Sequence, residues 1–274
     1  MKKQVIQKKC FNKKPGFTLV EVAIAMGMVA VMISSFMVVF GPALQGIDKS
    51  LSAKEADRLT NALELELSVL RNGEVDNNPA TIDKYATSFE KAFLWIKRST
   101  LDDKNPVLIY QYRGNPNSVR TDGTLNIYPY NAANPGIPGV NYVIQTSVRR
   151  LNDTFHNSKI QAELAPGVLE GKVYYARLTQ MYYDTDGNMI DTTSPNNIKA
   201  LYPDAGGSYT NTATPAAYTE DAVLPFRAKF YEVKPPLWSY INGAAFSVED
   251  GNDADSDPDA LGKPVITKNM AVMR

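Results

Sequence analysis

Lys13-Lys14-Pro15-Gly16-Phe17-Thr18-Leu19-Val20-Glu21-Val22 opens an apolar run that continues to Phe40. Glu21 is its single ionisable side chain. As a helix, the 24 residues from Phe17 to Phe40 would be about 36 Å long at about 1.5 Å per residue, enough to cross a bilayer core of about 30 Å. Lys2, Lys3, Lys8, Lys9, Lys13 and Lys14 precede the run, and the next charge after it is Asp48. The positive-inside bias therefore predicts a cytoplasmic N-terminus and export of everything beyond Phe40. A secretory signal is cut after its apolar core at a small-x-small site, and only Ala43 is near such a position. Here the recognisable boundary precedes the core, where the basic leader ends at Gly16.

Lys-x-Gly followed by Phe-Thr-Leu-Val-Glu resembles the type III signal of type IV prepilins and pseudopilins. The resemblance implies cleavage between Gly16 and Phe17 by prepilin peptidase, N-methylation of Phe17, and retention of the apolar helix as membrane anchor and then filament core. It implies as partners the peptidase/methyltransferase, an inner-membrane assembly platform and other pilin or pseudopilin subunits. The expected location is the bacterial inner membrane, then a periplasmic or cell-surface filament. Pili, secretion pseudopili and DNA-uptake filaments all share this signal.

A carboxylate at the centre of a membrane helix costs about 2.5–3.5 kcal/mol on the lenient insertion scale. Glu21 therefore needs a partner, or hydration near the headgroups one turn into the helix. Cleavage after Gly16 creates a partner, the new ammonium of Phe17, and the expected pairing joins Glu21 of an incoming subunit to the Phe17 amine of its neighbour.

Removing residues 1–16 takes six of the 29 basic residues and none of the 29 acidic ones, leaving 258 residues with 23 basic against 29 acidic, a net charge of −6. A basic nucleic-acid-binding surface is not suggested. The only cysteine, Cys10, lies in the leader, so no disulfide can staple the exported part. Many pilins close a C-terminal loop with a disulfide, and this chain departs from that pattern. Core burial or an ion must hold it instead.

Gly41-Pro42 follows the membrane run, and the proline predicts a kink or a locally melted turn. Leu44, Ile47, Leu51, Leu59, Leu63, Leu67 and Leu70 then recur mostly at three- and four-residue spacing, an amphipathic helix over 41–73 that ends near Asn72-Gly73. Ile82, Tyr85, Ala86, Phe89, Phe93 and Ile96 predict a second helix, with Thr81 as N-cap. Trp95 reads as packing. Short β-rich runs follow: 107–113, 124–128, 142–149, 172–183, 223–234 and 264–272, separated by Pro, Gly and Asn. Tyr183 to Ile190 reads as a hairpin turn. The expected architecture is α+β: a leader (1–16), a transmembrane helix (17–40), its amphipathic continuation (41–73), and an exported globular domain (74–274) whose antiparallel sheet receives the helix, as in pilins.

Catalytic signatures are missing: His156, the single histidine, reads as a surface-loop residue without a nucleophile-elbow, phosphate-binding or dinucleotide motif nearby. The chain is not expected to be an enzyme. Two acidic segments are candidate calcium ligands, Asp184 with Asp186 and Asp253 with Asp255 and Asp257. Pro258 stands where a calcium loop starting at Asp253 needs glycine, and no glutamate closes it, which favours solvated turns. Tyr110, Tyr112, Tyr128, Tyr130, Tyr202, Tyr209, Tyr218 and Tyr240 raise an adhesive, carbohydrate-binding face as an alternative. The size resembles a minor pilin or minor pseudopilin. The alternative from another class is a single-pass anchored adhesin or binding module.

Overall fold

The structure, a computed structural model, describes residues 18–74, 85–101, 107–151, 153–192, 198–212, 214, 218, 223–243 and 264–274. The chain divides into two compact units, Met1–Glu55 and Ala56–Arg274. The helix α1 (Leu19–Ser68) has residues in both. Its backbone stays helical through Gly41 and Pro42, so no melted turn forms there. A proline removes one hydrogen bond from the ladder without ending a helix that is otherwise sustained.

In the second unit, Leu59, Leu63 and Leu67 are buried at four-residue spacing, as the periodicity predicted. The α-helix stops at Ser68, earlier than expected from Asn72-Gly73. The reason is a local competitor: the Arg71 backbone N–H donates to Glu74 Oε2 at 3.0 Å, and Glu74 N–H donates to the Arg71 carbonyl at 3.1 Å, closing a turn. Gly73 in that turn has φ +97°, and a Cβ built on it would lie 2.5 Å from Phe155 Cε2. Gly73→Ala is expected to cost about 2–4 kcal/mol, combining left-handed strain with overpacking. Urea denaturation of the two proteins checks it.

The helix α2 (Ser88–Leu101) begins later than the sequence pattern suggested, because Thr87-x-x-Glu90 caps it. Glu90 N–H donates to Thr87 Oγ1 at 3.1 Å, and the Ala86 N–H donates to Glu90 Oε2 at 2.8 Å. Tyr85 and Ala86 thus precede the helix, and Thr81 lies outside the described residues. Trp95 is buried, its Nε1–H donating to Tyr85 Oη at 3.0 Å.

The strands follow as β1 (Val107–Val119), β2 (Leu125–Ile127) and β3 (Val143–Arg150), then after α3 (Thr154–Glu163) come β4 (Leu169–Tyr183), β5 (Met189–Asp191), β6 (Ile198–Lys199), β7 (Asn211–Thr212) and β8 (Val223–Val233). A short α4 (Trp238–Ile241) and β9 (Ile266–Met273) complete the described elements. The main sheet runs β2-β1-β4-β8-β9, with β3 also paired to β1 and β5 to β4; β6 and β7 form a separate ribbon. Every pairing between the described strands is antiparallel, so the unit is α+β as expected.

Period-two alternation assigns the two faces of the sheet. Val107, Ile109, Ala176, Leu178, Phe226 and Phe230 pack with Leu59, Leu63, Phe93 and Trp95 in one core. Leu108, Tyr110, Tyr112, Val173, Tyr175 and Tyr231 pack with Ile160 of α3 and Leu164 at its C-cap in the other. Layers on both sides explain why β1 and β4 are buried along consecutive residues rather than alternately.

Candidate functional site

The surface singled out by the sequence is the apolar segment of α1. Leu19–Met37 is long and apolar enough to cross a membrane, and none of it is buried within the protein. Leu19 is 87% exposed and Met37 73%. In water a continuous apolar surface of this length has no stable environment, so it requires lipid or other helices. Phe36 and Phe40, one turn apart, stack with centroids 4.9 Å apart and add aromatic surface to one side.

At the start of this helix, Thr18 and Glu21 form a capping box. The Thr18 N–H donates to Glu21 Oε2 at 2.9 Å, the Thr18 hydroxyl donates to the same oxygen at 3.0 Å, and Glu21 N–H donates to Thr18 Oγ1 at 3.2 Å. The Thr-x-x-Glu spacing carries that signal in the sequence. Glu21 therefore has an internal partner and remains exposed for an external one. Gly16 and Phe17 lie outside the described residues.

The acidic turn at Asp184 is closed on itself. Its carboxylate accepts from the backbone N–H of Asp186 at 3.0 Å and of Asn188 at 2.7 Å, with Asn188 Nδ2 at 3.3 Å. Among the described residues no group of three or more His, Cys, Asp or Glu side chains is arranged to hold a metal ion. Asp253, Asp255 and Asp257 lie outside those residues.

Three tyrosines named for an adhesive face are core residues: Tyr110, Tyr112 and Tyr218 are buried. Tyr218 packs on Phe89 and Phe93, with centroids 6.1 and 5.9 Å away. Tyr130 and Tyr202 are exposed. Tyr128, Tyr130 and Tyr142 surround the buried Arg113, the nearest centroid 3.5 Å from its guanidinium carbon, which ties their loop to the sheet.

The feature that sequence reasoning missed is a buried network of charges in the second unit. Lys91 on α2 donates to Glu66 Oε1 at 2.7 Å, Glu74 Oε2 at 2.9 Å and the Val69 carbonyl at 3.1 Å. Arg71 grips Glu66 with Nε and Nη2, and its Nη1 reaches the Asp122 carbonyl at 3.4 Å. Nearby on β3, Arg149 Nη2 donates to Glu163 Oε1 at 2.9 Å and Nη1 to Asp122 Oδ2 at 3.4 Å. Glu163 also receives the Tyr110 hydroxyl at 2.7 Å and the Arg120 guanidinium, while Asp122 receives Lys159 at 2.6 Å.

His156 belongs to this network and not to a surface loop: it is fully buried in the first turn of α3. Asp153 caps that turn by accepting from the Phe155 N–H at 2.9 Å, fixing the histidine inward. Burial opposes the ionised carboxylate of Glu74, yet the approach of His156 and the Lys91 ammonium outweigh it and bring its pKa down to about 2. Burial likewise opposes ionised Asp122, but Lys159 and Thr124 hold it far below the usual carboxylate range.

Comparison of the chain with protein-family models, with curated proteins and with solved structures returned no match.

Proposed function

We propose that this chain is a type IV pilin-like structural subunit, of the minor pilin or pseudopilin kind, that is anchored by α1 and assembles through it into a filament. The observation that carries this reading is the continuity of Lys13-x-x-Gly16-Phe17-Thr18-Leu19-Val20-Glu21 with the apolar segment Leu19–Met37 of α1, none of which is buried within the protein. The capping box gives Glu21 a local role at the start of the helix, and a helix that hands itself from lipid to neighbouring subunits can use its exposed carboxylate as a registration point as well. Cleavage at Gly16 would place an ammonium on Phe17, and pairing it with Glu21 of a neighbour removes two charges from an apolar medium at once.

Mass spectrometry of the protein from its native membrane tests the reading directly. The expected mature chain begins at N-methylated Phe17. A chain that still begins at Met1, or one shortened beyond Phe40, overturns the proposal in favour of an anchored binding module or a secreted domain.

Glu21→Ala supplies the second test. Processing at Gly16 and membrane insertion are expected to be unchanged, while the fraction recovered in sheared filaments falls at least about tenfold, equivalent to about 1.4 kcal/mol. Normal incorporation would remove Glu21 from the assembly mechanism.

A further inference from the structure

His156 carries a constraint that geometry alone imposes. The Arg150 backbone N–H donates to His156 Nδ1 at 3.2 Å, so Nδ1 must present a lone pair and the ring proton belongs on Nε2. Nε2 faces Glu74 Oε1 at 3.2 Å, off the line of a well-directed hydrogen bond. Trp95 of α2 meets the ring edge-on, with centroids 5.9 Å apart, and Phe155 lies 5.2 Å away, which keeps water out.

The charges facing the ring come from four places. Glu74 lies in the turn after α1, with Lys91 of α2 behind it. Asp153 at the start of α3 is 3.8 Å from Nδ1 and holds the Arg150 guanidinium at 3.1 Å. Arg149 on β3 adds a repelling positive charge. The 71–74 turn itself sits on Phe155, since Gly73 leaves no room there for a Cβ. The start of α3 is thus clasped to the end of β3 through Nδ1 and faces the 71–74 turn through Nε2.

A second ring proton would set N–H against N–H at Arg150 and break that bond. We propose that His156 is an acid-sensitive latch: neutral, it holds the first turn of α3 to β3 through Nδ1; protonated, it releases β3, while the ionised Glu74 keeps its hold on Nε2. Burial and then Arg149 oppose the charged ring, and the carboxylates of Glu74 and Asp153 only partly compensate, so its pKa lies below the ordinary histidine value. The sign follows from linkage. The contribution to stability is complete above the unfolded histidine pKa of about 6.5 and is lost as pH falls below it, because the unfolded chain takes up the proton first. Glu74, with its pKa near 2, stays ionised throughout that window.

The test uses the full-length chain in detergent micelles, with hydrogen exchange followed at pH 7 and pH 5 after correction for intrinsic rates. Wild-type amides over 150–160 are expected to exchange at least about tenfold faster at pH 5, a local opening equivalent to about 1.4 kcal/mol, while those of β4 do not change. In His156→Asn the amide oxygen takes the place of Nδ1 and accepts from Arg150 without being able to ionise, so the acid acceleration should vanish. Acceleration that persists in His156→Asn, or its absence from the wild type, overturns the latch. Should that variant not fold, NMR of the wild-type ring decides: the midpoint of the His156 titration must coincide with that of the exchange change, and a separation of more than one pH unit rejects the proposal.

Discussion

Lys91→Met is expected to destabilise the fold by about 3–5 kcal/mol, the range for removing one partner from a buried ion pair. The ammonium is completely buried and donates to Glu66, Glu74 and the Val69 carbonyl, so its three protons meet three oxygens. Methionine fills most of the stem volume, which makes a cavity a minor part of the loss. What remains is two buried carboxylates short of a cation. Glu66 keeps Arg71, and Glu74 keeps the Arg71 N–H and His156, so the loss should not exceed the upper figure. Without Lys91 the Glu74 carboxylate protonates more readily in the fold, and the penalty should shrink as pH drops through the carboxylate range. Urea denaturation at pH 7 and pH 4.5 measures both effects. A loss below about 1 kcal/mol at pH 7 would mean that the carboxylates find water as easily as they find Lys91.

That network also explains where the sequence stops being readable. Apolar periodicity marks whatever buries a stripe, so Leu59, Leu63 and Leu67 on α1 and the centres of β1, β3, β4, β8 and β9 could be placed from spacing and composition. The hairpin turn read at Tyr183 to Ile190 led to β5, whose Met189 pairs with Tyr183, but the two-residue strands β6 and β7 carry too few positions to show a period. Helix α3 escaped because its apolar residues, Phe155, Ile160 and Leu164, are spread through polar sequence, and only Asp153 announces its start. Charged residues are read by default as solvated, since they are rarely buried without partners. The consecutive Arg149 and Arg150 on β3 point to opposite faces. One meets Glu163 and Asp122, the other Asp153. Those partners are 3 to 27 positions away in the chain, and no local spacing rule connects them. The capping box at Thr18-x-x-Glu21, by contrast, was legible and simply overshadowed by the need for an external partner.

The lack of any cysteine beyond residue 10 left open what ties the unit from Ala56 onward together. Core burial does most of it on both faces of the sheet. The polar share falls to ionised groups that join α2, α3, β3 and the turn after α1. Such a tie is insensitive to reductants but sensitive to acid, the reverse of a disulfide.

Arg149→Met should be as costly as the loss of Lys91, again about 3–5 kcal/mol, and it reports on whether the charges act as one body. Arg149 is 1% exposed and binds Glu163 at 2.9 Å, Thr124 at 3.3 Å and Asp122 at 3.4 Å. Burial alone would raise the Glu163 pKa; Arg149 is the main reason it instead lies below its ordinary value. Removing the guanidinium leaves Arg120, Tyr110 and Ser147 on Glu163 and Lys159 on Asp122, so the loss again eases in acid as Glu163 takes a proton. Arg149→Lys keeps the charge but loses the planar fork, and an intermediate loss separates geometry from net charge. The double variant with Lys91→Met then measures connection. Two independent clusters would give losses that sum within about 0.5 kcal/mol. The Arg71 contact with the Asp122 carbonyl and the position of His156 between Glu74 and Arg150 link the two halves, so the double variant is expected to lose less than the sum. Strict additivity would show that each half holds its own part of the fold, with no communication through His156.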